Sequence, residues 1–109
     1  MLDRRVQKAT ELMNGNLAEP RSNRELSRKV GMSLNNFYHL FLKELGTTPK
    51  HYLLNQRMEA ARKLLLYTEY TIDEIAARTG YADRYHFSKT FKRFYSVPPA
   101  AYQQMSGKK

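Results

Sequence analysis

Apolar residues recur along this chain at spacings of three and four, the period of helices that each bury one face. Val6, Ala9, Leu12, Met13 and Leu17 mark such a face over about residues 3–17. Asn14-Gly15-Asn16 weakens the end of that helix, and Pro20 closes it. Ser22-Asn23-Arg24-Glu25 reads as a capping box, with the serine hydroxyl accepting from early amides and Glu25 reaching back. It opens a short helix to about Val30, and Gly31 suits the left-handed turn that follows. Ser33 caps a helix to about Leu45, which Gly46 stops. Thr48-Pro49 opens the longest helix, to about Leu66, with proline at the first helical position. Tyr52, Leu53, Ala60, Ala61, Leu64 and Leu65 are its apolar positions. Thr71-Ile72-Asp73-Glu74 is a second capping box, for a short helix to Thr79 ahead of Gly80. A further helix is predicted from about Asp83 to Phe94 or Tyr95, ended by Pro98-Pro99. A short helical turn is expected over 100–103, and residues 106–109 are expected to fray. No segment shows the sustained alternation of a strand, so the expected fold class is all-α.

The two halves repeat each other. Glu25-Leu26 matches Glu74-Ile75 and Gly31 matches Gly80, at an offset of 49. Beyond the glycine the offset is 50: Phe37 matches Phe87, Phe41 matches Phe91, Leu45 matches Tyr95, Pro49 matches Pro99 and Tyr52 matches Tyr102. One residue is therefore added after the second glycine. Two copies are too few for a solenoid, which needs at least three units to bury a continuous core. Each copy is a short helix, a tight turn containing glycine and a second helix, which is the helix-turn-helix arrangement.

Placing Phe37 at the centre of the buried face of the helix over 33–45 sets Leu34, Phe41 and Leu45 beside it. Asn35, Tyr38, His39 and Leu42 then point the other way, offering amide, hydroxyl and imidazole groups of the kind that read base edges. In the second copy Phe87 is central, with Phe91, Phe94 and Tyr95 near it, while Tyr85, Ser88, Lys89 and Lys92 point outward. Arg84 lies in the first turn, where groove-reading helices commonly touch bases. Any one of these polar residues alone fits a solvated helix face equally well. The aromatics Phe37, Phe41, Phe87, Phe91 and Phe94 are assigned to the core, so they form no stacking platform for single strands.

Charge narrows the partner. Nineteen Lys and Arg against ten Asp and Glu give +9 over 109 residues, which favours a polyanion, either nucleic acid or an anionic membrane surface. With two outward stripes at equivalent repeat positions, double-stranded DNA is the favoured partner. There is no cysteine, which excludes disulfides and cysteine-ligated metal. No apolar stretch follows Met1-Leu2-Asp3-Arg4-Arg5, so the start is not a signal peptide, and Leu64-Leu65-Leu66 is far too short to span a bilayer.

Three other readings have less support. An enzyme would need His39, His51 or His86 beside a nucleophile, paired carboxylates or a metal-ligand set, and no catalytic, metal or cofactor site is expected. No glycine-rich phosphate loop is present. A membrane-surface helix would need exposed large apolar residues on a continuous basic helix, whereas the repeat commits the aromatics to the core. A protein-interaction module is compatible with the outward Leu42 and with Glu11, Glu19 and Glu69, which leave room for a further partner such as RNA polymerase.

These residues resemble the DNA-binding domain of the arabinose-operon-regulator (AraC/XylS) family of bacterial transcription regulators, over about residues 5–103. The specific part is Ile75-Ala76, Gly80-Tyr81, His86-Phe87-Ser88, Phe91-Lys92, Val97-Pro98-Pro99 and Tyr102. The first half adds Leu26, Val30-Gly31-Met32-Ser33, Phe41, Gly46, Pro49 and Tyr52-Leu53, and the linker adds Arg57, Ala61 and Leu64-Leu65. Ser96 departs from the family, which usually has glycine there, and Arg21 and Asn23 stand at places that are often aliphatic.

The resemblance implies seven helices. A first helix-turn-helix unit covers about 5–46, a linker helix about 49–66 and a second unit about 71–103. It implies base-facing roles for Asn35, Asn36, Tyr38 and His39 in the first unit and for Arg84, Tyr85, Ser88 and Lys89 in the second. Lys43, Lys50, Lys92 and Arg93 are expected at phosphates, as are the helix N-termini at Ser22, Thr48 and Thr71. A linker of about eighteen residues spans ~27 Å, a scale suited to two heads in successive major grooves. The resemblance further implies a cytoplasmic transcription regulator, usually an activator contacting RNA polymerase. The expected setting is either a small stand-alone member or, as the favoured case, the C-terminal domain of a larger protein that carries an effector domain.

Overall fold

The computed structural model describes residues 1–105; the stretch expected to fray, 106–109, lies outside the described residues. All secondary structure among the described residues is helical: α1 (Arg4–Asn14), α2 (Asn23–Lys29), α3 (Leu34–Leu45), α4 (Pro49–Tyr67), α5 (Ile72–Arg78), α6 (Arg84–Tyr95) and α7 (Pro99–Met105). The chain divides into two compact units, 1–56 and 57–109, with the break inside α4.

In the first unit, Val6, Ala9 and Met13 of α1, Leu26 of α2, Val30, and Phe37 and Phe41 of α3 form one buried cluster. Leu12, Met32, Leu40, Leu45, Tyr52 and Leu53 pack against its edge. The Phe37 and Phe41 rings lie 5.6 Å apart, and the Tyr52 ring meets Phe41 edge-on at 5.6 Å. The Tyr52 hydroxyl also accepts a bond from the Asn14 amide at 3.2 Å, tying the end of α1 to α4.

In the second unit the buried residues are Met58, Ala61 and Leu65 of α4, Ile75 and Ala76 of α5, Thr79, Phe87 and Phe91 of α6, and Pro99. The aromatic contacts repeat at the offset of 50 seen in the sequence. Phe87 and Phe91 lie 5.8 Å apart, and Tyr102 meets Phe91 edge-on at 5.6 Å. The buried Thr79 hydroxyl donates to the Ile75 carbonyl at 2.8 Å, which removes the cost of an unpaired hydroxyl.

Several sequence expectations are corrected. α1 ends at Asn14, not near Leu17, because Gly15 already serves as its C-cap and donates to the Glu11 carbonyl at 3.1 Å. The Ser22 box forms only half as expected: its hydroxyl accepts from the Glu25 amide, but the Glu25 carboxylate faces Arg21 Nε at 3.7 Å. The Thr71 box is complete, with the Thr71 amide donating to Glu74 Oε1 at 2.8 Å and the Glu74 amide donating to Thr71 Oγ1 at 3.1 Å. The turn expected over 100–103 is the longer helix α7. Leu34 and Phe94, which the helical period puts on the core side, are 37% and 39% exposed.

Candidate nucleic-acid interface

Each unit presents its second helix through the same turn. In the first, the Gly31 amide donates to Arg28 and the Met32 amide to Ser27, at 3.1 and 2.8 Å. In the second, the Gly80 amide donates to Ala77 and the Tyr81 amide to Ala76, at 3.2 and 2.9 Å. These are the same bonds shifted by 49 residues. Gly31 has φ 73°, and a Cβ built there would meet nothing within 4 Å. The turn therefore selects glycine for its left-handed backbone and not for space.

The turn delivers α3 with Ser33 as its cap, the serine Oγ accepting from the Asn36 amide at 3.2 Å. Phe37 and Phe41 face inward, and Asn35, Asn36, Tyr38 and His39 are exposed on the other side. Tyr38 and His39 contact each other ring edge to face, 5.7 Å between centroids. Lys43 is exposed in the last turn of α3, and Lys50 in the first turn of α4.

In the second unit Asp83 caps α6, its Oδ1 accepting from the His86 amide at 2.9 Å and lying 3.1 Å from His86 Nδ1. The backbone bond from His86 is the main reason the Asp83 carboxyl sits below the usual carboxylate range. Arg84, Tyr85 and Lys89 are exposed, and Lys89 Nζ lies 5.8 Å from the Tyr85 ring centroid. Ser88 is only half-exposed, at the edge of this surface. Lys92 and Arg93 are exposed in the last turn, where cations also complement the helix dipole.

The three expected N-terminal phosphate sites are partly occupied from within. The Ser22, Thr48 and Thr71 hydroxyls accept from the Glu25, His51 and Glu74 amides, each at 3.1 Å. Thr71 has also given its own amide to Glu74, and Asp73 and Glu74 make the first turn of α5 acidic.

Sequence reasoning missed the ion pair between Arg84 Nη1 and Asp73 Oδ2, at 3.7 Å. Periodicity carries no sign of it, because Asp73 reads as an interior residue of a capping box. Among the described residues, no group of three or more His, Cys, Asp or Glu is placed to hold a metal ion. Among the same residues, no helix is long and apolar enough to cross a membrane.

The family model of a helix-turn-helix domain matches residues 26–105. The transcriptional regulator GbdR of Pseudomonas aeruginosa is 36% identical over 95 residues, covering 87% of this chain and 26% of that protein. The lactose operon transcription activator of Staphylococcus xylosus is 32% identical over 98 residues, covering 90% of this chain and 35% of its own. The chain thus spans roughly a quarter to a third of the curated relatives it matches. An AraC-type regulator structure from Chromobacterium violaceum matches with a TM-score of 0.86 at 31% identity, over 94% of this chain and 91% of that one. The DNA-binding domain of AdpA, solved with a target DNA, matches with a TM-score of 0.86 at 26% identity, over 94% and 93%.

Two glycine turns, each presenting a helix with a buried aromatic back and a polar front, make this a DNA-binding domain of the helix-turn-helix class. Within that class the chain belongs to the arabinose-operon-regulator (AraC/XylS) family.

Proposed function

We propose that this domain recognises one specific sequence of double-stranded DNA. In this reading α3 enters one major groove and α6 the next, about one helical turn or ~34 Å apart. The observation that carries the reading is the pair of exposed polar faces on α3 and α6, at equivalent places of a repeat, each backed by a buried phenylalanine pair. The AdpA domain, of the same fold, binds its target DNA, which supports a duplex as the ligand.

The roles follow from chemistry. The exposed amide of Asn35 matches the N6 and N7 edge of adenine, and the guanidinium of Arg84 matches O6 and N7 of guanine. Asn36, Tyr38, His39, Tyr85, Ser88 and Lys89 complete the two reading faces. Lys43, Lys50, Lys92 and Arg93 bind phosphates and fix register, with the N-termini at Ser22 and Thr48 adding amide donors. The weak pair with Asp73 is easily exchanged for a base, since both partners are well exposed. Because the two heads differ in sequence, the site is asymmetric. The parent protein is a cytoplasmic transcription regulator that adds an effector domain and contacts RNA polymerase.

Selection of preferred sequences from a random duplex pool tests the whole reading. The expected result is one asymmetric site with two informative blocks about a helical turn apart. Enrichment of no sequence, or of a single short block, would overturn it.

A further inference from the structure

The two units differ at one place that the repeat makes equivalent. Arg24 corresponds to Asp73 at the offset of 49, and Leu34 to Arg84 at the offset of 50. In the second unit this place is bridged by the Arg84–Asp73 ion pair. In the first it is an open groove of about 470 Å³, lined by Asn23, Arg24, Leu34, Asn35 and Tyr38. The groove has an apolar wall, since Leu34 and Tyr38 are 37% and 37% exposed. Helical register would have turned Leu34 toward the Phe37 core; the fold instead leaves it beside Asn35 on the outer face.

We infer that this groove receives the 5-methyl edge of a thymine, making Leu34 and Tyr38 specificity-determining residues of the first unit. The inference rests on the DNA reading above and deepens it. Thymine carries the only apolar group on the major-groove edges of the four bases, and the groove pairs an exposed aliphatic wall with an amide suited to adenine. An Asn35 bound to an adenine has a thymine within the same or the neighbouring base pair. Arg24, on the far wall, lies in the first turn of α2 and can meet the phosphate of the same strand. By the same comparison the second unit, with a guanidinium at the Leu34 position, reads guanine. The site therefore divides into a methyl-read block under α3 and a guanine block under α6.

The test replaces each thymine of the selected duplex, one at a time, with deoxyuridine, which removes only the methyl group. Affinity is measured for the unaltered domain, Leu34→Ala and Arg84→Ala. Burying one methyl predicts a loss of roughly three- to fivefold at one thymine or two adjacent ones for the unaltered domain. Leu34→Ala should bind more weakly and become indifferent to that methyl, whereas Arg84→Ala should keep the sensitivity. Because Leu34 is exposed, its truncation should leave the helical circular dichroism unchanged. If deoxyuridine is tolerated at every position while other base changes still weaken binding, the inference fails and sequence-specific recognition stands. Retained methyl sensitivity in Leu34→Ala also overturns it. If no duplex is preferred in the selection, both readings fall together.

Discussion

Ser96 ends α6 with φ 73°, the conformation that Gly46 holds at φ 70° at the end of α3. A side chain in the left-handed region costs roughly 1–2 kcal/mol, and glycine returns part of that gain through its freer unfolded chain. The strain is the larger quantity, so Ser96→Gly should stabilise the domain by about 0.5–1 kcal/mol in chemical denaturation; a loss of stability would show that the serine is held by something else. Asp83 makes an acid-side prediction. Its carboxyl lies below its ordinary value of 3.8 because the His86 amide donates to the charged form. A lowered carboxyl stabilises the fold fully above the ordinary value, and that contribution fades as pH falls through the lower one. Asp3, pushed down to about 2 by Arg5, behaves alike at the start of α1 and loses its contribution at still lower pH. A carboxyl-detected NMR titration should place the Asp83 midpoint below 3.8 and move the His86 amide with it. In Asp83→Asn that step should vanish while α6 stays capped; a midpoint at or above 3.8 would contradict the assignment.

At the level of elements, caps and breakers were the most legible part of the sequence. Ser33, Gly46, Thr71 and Gly80 mark helix ends where the sequence places them, because each acts within one turn of its own position, whereas Pro99, read as part of the stop after α6, opens α7. Tertiary cover was not legible. Phe94 lies almost in line with Phe87 on α6, and Leu34 lies one turn before Phe37 on α3. The helical period fixes the direction of each side chain but not whether a neighbouring element reaches far enough to bury it. Phe94 packs on Tyr95, 5.0 Å between ring centroids, at the last turn of α6. The Arg84–Asp73 pair was hidden for a related reason: it joins two helices across a turn, and only the folded turn sets that distance. The complete capping box of α5 supplies the test at this scale. Thr71→Ala should cost about 1 kcal/mol in thermal unfolding, and Thr71→Ser much less. Equal losses for both would mean that the hydroxyl is not what holds the helix end.

For the molecule as a whole, the excess of nine positive charges was visible from composition, but the number of phosphate contacts sets how binding should depend on salt. Four exposed cations, Lys43, Lys50, Lys92 and Arg93, contacting phosphate would make log K fall with log salt at a slope of about −3.6. Lys92→Ala should weaken selected and random duplexes alike and reduce that slope by about 1. A change confined to the selected duplex would instead make Lys92 a reader of bases. The proposed division of labour between reading and anchoring residues rests on residue type and helical face. Which base each residue meets does not, because that depends on how a duplex seats against each helix.

The recurrence of one turn, bond for bond, in both units has an evolutionary consequence. On each presented helix the inward phenylalanines and the outward polar side chains occupy separate positions, with Ser88 alone straddling the boundary among the expected base readers. Substitutions at exposed positions usually change stability by less than about 0.5 kcal/mol. In the proposed reading, the outward letters of one helix can thus be rewritten while its scaffold, and the half of the site met by the other helix, are kept. A domain that reads DNA in this way would acquire a new binding site by halves, retaining a foothold on DNA through each intermediate.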